Sequence, residues 1–301
     1  MPPLGLTDAV LLLVIGVVTG AVGAVLGTGG GVFLIPILLL CFGVPIKYAV
    51  GTSILTVVAT STAVAIGNLD RGTANMRLGM TLEIFTSLGA LSGGMAAAVL
   101  APTLLEGVFA AVLLPTAFVM WRKRAGDAGS PATAPVAQAQ SGLIGTAATG
   151  NQAATGGFLE RLGGEYEDPA SHQHVVYRLH RLWAGATISF IAGVMSGLLG
   201  IGGGVFKVPA LNILCGVPIK AAAATSTFMI GVTAAASAFL YFGRDQVDPG
   251  YTTAVVIGVV VGSGIGAYLN RFARGMLIKR VFAVLLLGVS VEMFFRAFSG
   301  Q

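Results

Sequence analysis

Apolar residues along this chain gather in runs long enough to cross a bilayer, which takes roughly 17–25 residues for a helix. They lie near Ala9–Leu26, Ala49–Gly67, Leu78–Leu100, Leu104–Trp121, Leu182–Leu199, Ala221–Phe242, Tyr251–Leu269 and Leu277–Phe298. Two further apolar segments, Gly29–Phe42 and Gly202–Cys215, are short for a span and carry several glycines and a proline. The pattern predicts an all-α fold, a polytopic transmembrane helical bundle.

The two short segments are copies of one another. Gly27-Thr28-Gly29-Gly30-Gly31-Val32-Phe33-Leu34-Ile35-Pro36 returns as Gly200-Ile201-Gly202-Gly203-Gly204-Val205-Phe206-Lys207-Val208-Pro209, displaced by 173 positions. At the same displacement, Gly43-Val44-Pro45-Ile46-Lys47 matches Gly216-Val217-Pro218-Ile219-Lys220, and Thr52-Ser53 matches Thr225-Ser226. The chain therefore divides into a first transmembrane repeat, residues 1–124, and a second, residues 178–301, joined by residues 125–177. The joining stretch is rich in Ala, Gly, Ser, Thr, Pro and Gln. It has too little apolar surface to offset the entropy of ordering, so much of it is expected to be a flexible linker. Paired broken segments in two halves of a membrane protein point to a transport site.

Composition strengthens the membrane reading. Hydrophobic residues make up 55% of the chain and charged residues 10%, against about 25% charged in soluble domains. The formal net charge of +5 reads as a topology signal rather than a nucleic-acid footprint, because basic loops mark the cytoplasmic side. If each broken segment crosses the membrane, giving about ten crossings of the length a bilayer requires, twelve flanking basic residues fall on one side. Lys47, Arg244 and Arg296 fall on the other. That arrangement puts both termini outside and the linker inside. An odd number of crossings per half makes the halves an inverted repeat, about five segments each. The first apolar run lacks the preceding positive charge of a secretory signal. Cys41 and Cys215 are expected to act as small apolar side chains. His172, His174 and His180 form no complete ligand set, so no metal and no cofactor is expected.

The candidate chemistry centres on the breaks. Glycine stops an apolar segment from continuing as regular helix. A helix starting after Gly29-Gly30-Gly31 or Gly202-Gly203-Gly204 offers unpaired N–H groups and a positive dipole end to an anion. Pro36 and Pro209 weaken the local helix and free carbonyls. Lys207 replaces Leu34 and is a charge within an apolar segment, so it is a candidate anion contact or a side chain snorkelling to the interface. Asn212 stands opposite Leu39 and adds a second polar group. Thr52, Ser53, Thr225 and Ser226 fit either of two roles, lining a cavity or bonding back to helix carbonyls. Arg71 and Arg244 are candidate gating charges or solvated loop partners of Asp70 and Asp245. Glu83 and Glu292 lie inside membrane segments and suit proton coupling or pairing with a nearby base. Spacings such as Gly16-x-x-x-Gly20, Gly89-x-x-x-Gly93 and Gly262-x-x-x-Gly266 predict close helix packing.

These paired Gly-x-Gly-Gly-Gly blocks, the prolines that follow them, the Gly-Val-Pro-Ile-Lys continuations and the Thr-Ser helix starts resemble the sulfite exporter TauE/SafE family of membrane permeases. The resemblance covers both halves and omits the linker, which is long for the family. It implies a secondary transporter exporting sulfite or a small organosulfur anion such as sulfoacetate across the bacterial cytoplasmic membrane by alternating access. The residues themselves reach only to a small anion meeting two helix N-termini and one lysine. A passive anion channel using the same glycines is the alternative. A membrane-embedded enzyme or assembly factor for sulfur metabolism ranks below it, since no nucleophile–base pair is evident. The lipid bilayer is the expected partner, and a homo-oligomer is compatible with the reading.

Overall fold

A computed structural model of the chain describes residues 5–26, 29–70, 72–122, 162–167, 174–177, 179 and 181–269. The first half supplies α1 (Leu6–Leu26), α2 (Gly31–Phe42), α3 (Ile46–Asp70), α4 (Met76–Val99) and α5 (Pro102–Arg122). A small antiparallel hairpin follows, β1 (Gly164–Glu167) with β2 (His174–Tyr177), pairing Gly164 opposite Tyr177 and Glu167 opposite His174. The second half supplies α6 (Leu182–Leu199), α7 (Gly204–Ile213), α8 (Ile219–Phe242) and α9 (Pro249–Leu269). The predicted span Leu277–Phe298 lies outside the described residues.

Among the described residues, six helices (α1, α3, α4, α6, α8 and α9) are long and apolar enough to cross a membrane. Most begin a few residues before their apolar runs. Proline and polar residues open them: Pro45 precedes α3 and Pro218 precedes α8, positions where the missing N–H costs nothing. Asn75 caps α4, its Oδ1 accepting from Leu78 N at 3.0 Å. Asp248 caps α9 at the matching place, accepting from Gly250 N and Tyr251 N. Both short helices end alike, with Val44 N donating to the Leu38 carbonyl at 3.1 Å and Val217 N to the Leu211 carbonyl at 3.0 Å. A glycine at positive φ, Gly43 or Gly216, makes each of those turns.

The halves are interlocked rather than side by side. In α1, Gly16 packs on the Val255 carbonyl and Gly258 of α9, and Gly20 on Val259; further along, Gly266 of α9 packs on the Ala21 carbonyl. These two helices run in the same sense, backbone against backbone. α4 and α6 repeat the arrangement, with Gly89 on Phe190, Gly93 on Val194 and Gly197 on Ala90. A Cβ at any of these glycines would meet a carbonyl oxygen of the other helix, which is why small residues are needed there. α4 also runs in the same sense as α8, from Asn75 beside Thr225 to Gly94 beside Arg244. Within the first half, Lys47 at the start of α3 donates to the Ala98 carbonyl at the end of α4 at 3.1 Å, so those two run in opposite senses.

The core sits around the short helix α2, of which eight of twelve residues are buried. A helix apolar on all sides belongs in an interior, and Leu34, Ile35 and Leu38 are wholly inaccessible. Outward faces are apolar too. Val10, Val14 and Val18 on α1, Ile84, Leu88 and Met95 on α4, and Ile257, Val261 and Ile265 on α9 are exposed. Such a belt suits hydrocarbon, not water. The stretch expected to be linker contributes to the packing. Leu162, Tyr177 and Leu179 are buried against Leu78, Leu82 and Leu211, and Asn75 Nδ2 donates to the Leu162 carbonyl at 2.9 Å and to Tyr177 Oη at 3.0 Å. The run Val175-Val176-Tyr177 has the β-branched and aromatic content of a strand, a signal that the overall polarity of residues 125–177 obscures.

Candidate functional site

At each break two consecutive glycines precede a helix that starts on a third. Gly29 and Gly30 have φ of 82° and 75°, and Gly202 and Gly203 have 76° and 66°. The segments expected to be broken over Gly29–Phe42 and Gly202–Cys215 are therefore helical only from Gly31 and Gly204. Gly30 and Gly203 act as the N-caps of α2 and α7 with no side chain to cap them. Only glycine accepts this left-handed geometry at low cost. A Cβ would also come within 2.9 Å of the Thr19 carbonyl at Gly30 and within 2.8 Å of the Ala192 carbonyl at Gly203. All six break glycines (Gly29, Gly30, Gly31, Gly202, Gly203 and Gly204) are buried. Pro36 is buried in mid-α2, which continues past it; Pro209 lies in α7 with its side chain outside the described residues.

The two breaks touch. A Cβ on Gly31 would run into Ser53 Oγ and come within 2.7 Å of the Gly200 carbonyl oxygen, the last residue before the second break. Ser53 Oγ donates to that carbonyl at 2.8 Å, so α3 of the first half binds the end of α6 in the second. Ser226, the counterpart on α8, is 1% exposed and its Oγ has no partner among the described residues. Thr52 Oγ1 lies 2.9 Å from Thr252 Oγ1 of α9, and Thr225 Oγ1 accepts from Asn75 N at 2.9 Å. Three of these four hydroxyls thus join one half to the other. None of these three bonds goes back to a carbonyl of its own helix.

Lys207 lies one helical turn into α7, its backbone N–H donating to the Gly203 carbonyl at 3.2 Å. Its side chain is wholly inaccessible and reaches no interface. Nζ donates to Thr233 Oγ1 of α8 at 2.8 Å and stands 3.9 Å from Glu83 Oε2 of α4. Thr233 Oγ1 is 2.6 Å from Glu83 Oε1 and 2.8 Å from the Met229 carbonyl; its single proton serves one of them at a time. Ser87 Oγ donates to Glu83 Oε1 at 2.9 Å. Glu83 is 4% exposed, and its Oε2 accepts no hydrogen bond among the described residues. An ammonium or a carboxylate alone here would be prohibitively costly, and together they neutralise each other. Glu83 therefore meets the base that its intramembrane position called for. Thr233 was not legible as the third member, since a threonine in an apolar helix commonly bonds only its own backbone.

Other candidates stand apart. Asn212 is half-buried and donates to the Val217 carbonyl at 2.9 Å, bracing the end of α7. Arg244 donates to the Gly94 carbonyl at 2.9 Å, so it clasps α4. Beside it Tyr241 Oη donates to the Gly197 carbonyl of α6 at 2.9 Å. Arg71, Glu292, His172 and His180 lie outside the described residues.

Six spanning helices, two half-helices buried between them and backbone-to-backbone packing across the halves define a multi-pass α-helical membrane protein. The comparisons with known proteins then specify it. The model of the family described as Sulfite exporter TauE/SafE matches residues 12–293. The chain is 26% identical to "Probable membrane transporter protein YunE" of Bacillus subtilis, over 95% of this chain and 97% of that protein. It is also 26% identical to a "Probable membrane transporter protein" of Xylella fastidiosa, over 94% of each chain. A shorter match, 33% identical, joins 35% of this chain to 24% of "Sulfite exporter TauE/SafE family protein 5" of Arabidopsis thaliana. No solved structure matches. The chain belongs to the sulfite exporter TauE/SafE family, and it is a membrane transporter rather than an enzyme.

Proposed function

We propose that this protein exports sulfite or a small organosulfur anion across a bacterial cytoplasmic membrane by alternating access. The observation that carries the reading is the contact between the two glycine breaks, Gly31 against the Gly200 carbonyl with Ser53 between them. Two helix N-termini, at Gly31 and Gly204, open from this buried centre, and their first-turn N–H groups favour negative charge without a charged side chain. The anion is held by Gly29–Gly31 and Gly202–Gly204, with Ser226 free to donate. Lys207 contributes its field from one turn away and is held in place by Thr233 and Glu83.

Helix directions support an inverted repeat. α3 opposes α4 while α4 accompanies α8, so α3 and its counterpart α8 run in opposite senses. With the linker and the basic loops on the cytoplasmic side, the substrate is loaded from within the cell.

The test is efflux from proteoliposomes loaded with sulfite. Replacing Gly30 or Gly203 with leucine is expected to abolish efflux while the protein still inserts, because both the positive φ and the nearby carbonyls reject a side chain. Normal efflux in either variant overturns the assignment. Accumulation against a gradient, driven by protons or another ion, distinguishes a carrier from a channel.

A further inference from the structure

A cleft of about 190 Å³ opens between α3 and α8. Its walls are mostly apolar, formed by Ala65, Ile66 and Leu69 on α3 and by Phe228, Gly231 and Val232 on α8, with Ser61 and the exposed Thr62 lining it too; Ile66 and Val232 are also exposed. Ser61 is 2% exposed, and its Oγ has no hydrogen-bond partner among the described residues. The same Oγ lies 3.6 Å from where a Cβ on Gly29 would sit, so the hydroxyl stands where the cleft meets the first glycine break. Ser53, Val57 and Ser61 form one stripe of α3 facing Gly29 and Gly31.

The equivalent place in the other half is lined by different residues. At a displacement of 173 positions, Ser61 becomes Ala234 and Gly231 corresponds to Val58. One side therefore has a cleft lined by a buried hydroxyl and a glycine, where the other half carries a methyl and an isopropyl group.

We propose that this cleft is a specificity pocket for a hydrocarbon segment of the transported anion, with Ser61 donating a hydrogen bond to the charged head beside Gly29. This rests on the transport function proposed above and names the kind of anion that site prefers: one with a short alkyl chain rather than a bare oxyanion. A water molecule takes about 30 Å³ of liquid, so the cleft has room for a head group and a few methylenes. A bare oxyanion leaves the apolar walls unfilled. A buried unpaired hydroxyl is costly, and a lipid chain lying in the cleft has nothing to offer it. An anionic oxygen satisfies it.

Inhibition of sulfite efflux by methane-, ethane- and propanesulfonate, with the full chain in proteoliposomes, tests the pocket. Affinity is expected to rise about fourfold for each methylene buried. In Gly231→Val, which copies Val58, the rise with chain length should disappear, whatever the change in methanesulfonate inhibition, since the new Cβ would lie 3.4 Å from Ser61 Cβ. Ser61→Ala should weaken all three inhibitors about tenfold and keep the fourfold steps. It serves as the second reading if Gly231→Val fails to insert. A flat series in a wild-type protein that does export sulfite overturns the pocket and leaves the transport function standing; occupation of the cleft by lipid gives that result. A series that still climbs in Gly231→Val also overturns it. Absence of any anion efflux from the wild type sinks the transport function itself.

Discussion

The two halves place the same backbone at equivalent positions and fill it with opposite chemistry. In one position Lys207 of α7, Thr233 of α8 and Glu83 of α4 form a buried polar network. The counterparts, displaced by 173 positions, are Leu34, Thr60 and Val256. The threonines behave alike, Thr233 reaching the Met229 carbonyl at 2.8 Å and Thr60 the Thr56 carbonyl at 2.7 Å. Leu34 and Lys207 are both wholly buried. An apolar pair therefore suffices for the architecture, and the charges on one side answer some other need. They also join the halves, since Glu83 belongs to the first and Lys207 to the second.

Removing one charge should show this most sharply. Glu83→Ala leaves the Lys207 ammonium buried and unpaired, and loss of one member of such a pair costs about 3–5 kcal/mol. A marked fall in the detergent thermal midpoint is expected, and an unchanged midpoint would refute the pairing. Copying the other half, with Glu83→Val and Lys207→Leu together, should restore stability to the wild-type level or raise it by about 1–4 kcal/mol. The same double variant should lose anion efflux. Full efflux would mean that the asymmetry has no part in transport.

Smaller effects separate the two helix caps. Asp248→Ala removes only a cap, at about 1 kcal/mol. Asn75→Ala removes the equivalent cap together with the bonds to Leu162 and Tyr177, so its midpoint should fall further. Equal losses would mean that the hairpin adds nothing to the first half. Tyr241→Phe should cost as little as Asp248→Ala, about 1 kcal/mol for the bond to Gly197. A loss several times larger would show that this end of α8 depends on that bond.

Much of the frame could be read without coordinates because glycine and proline report on the backbone directly. The two short helices appear where the repeated blocks put them, ending at Phe42 and at Ile213. The small-residue spacings at Gly16, Gly89 and Gly262 do mark close helix contacts. Their partners were not legible, since a spacing states that a helix is approached and not by which helix. For the same reason Lys207 and Glu83 each stood out as charges in apolar runs, yet nothing in a run joins positions on α4 and α7. Ser61 left no trace at all. One serine among many in apolar helices becomes distinctive only when its hydroxyl is found buried and unshared.

The exchange of helices has a consequence for how the molecule moves and how it is made. α1 is notched into α9 and α4 into α6, so each packed pair is a hybrid that draws on both halves of the sequence. The two halves are therefore not separate packing units, and the proposed alternating access would divide the molecule along this packing rather than at the linker. A ribosome that has finished the first duplicate has made helices whose mates are still unwritten.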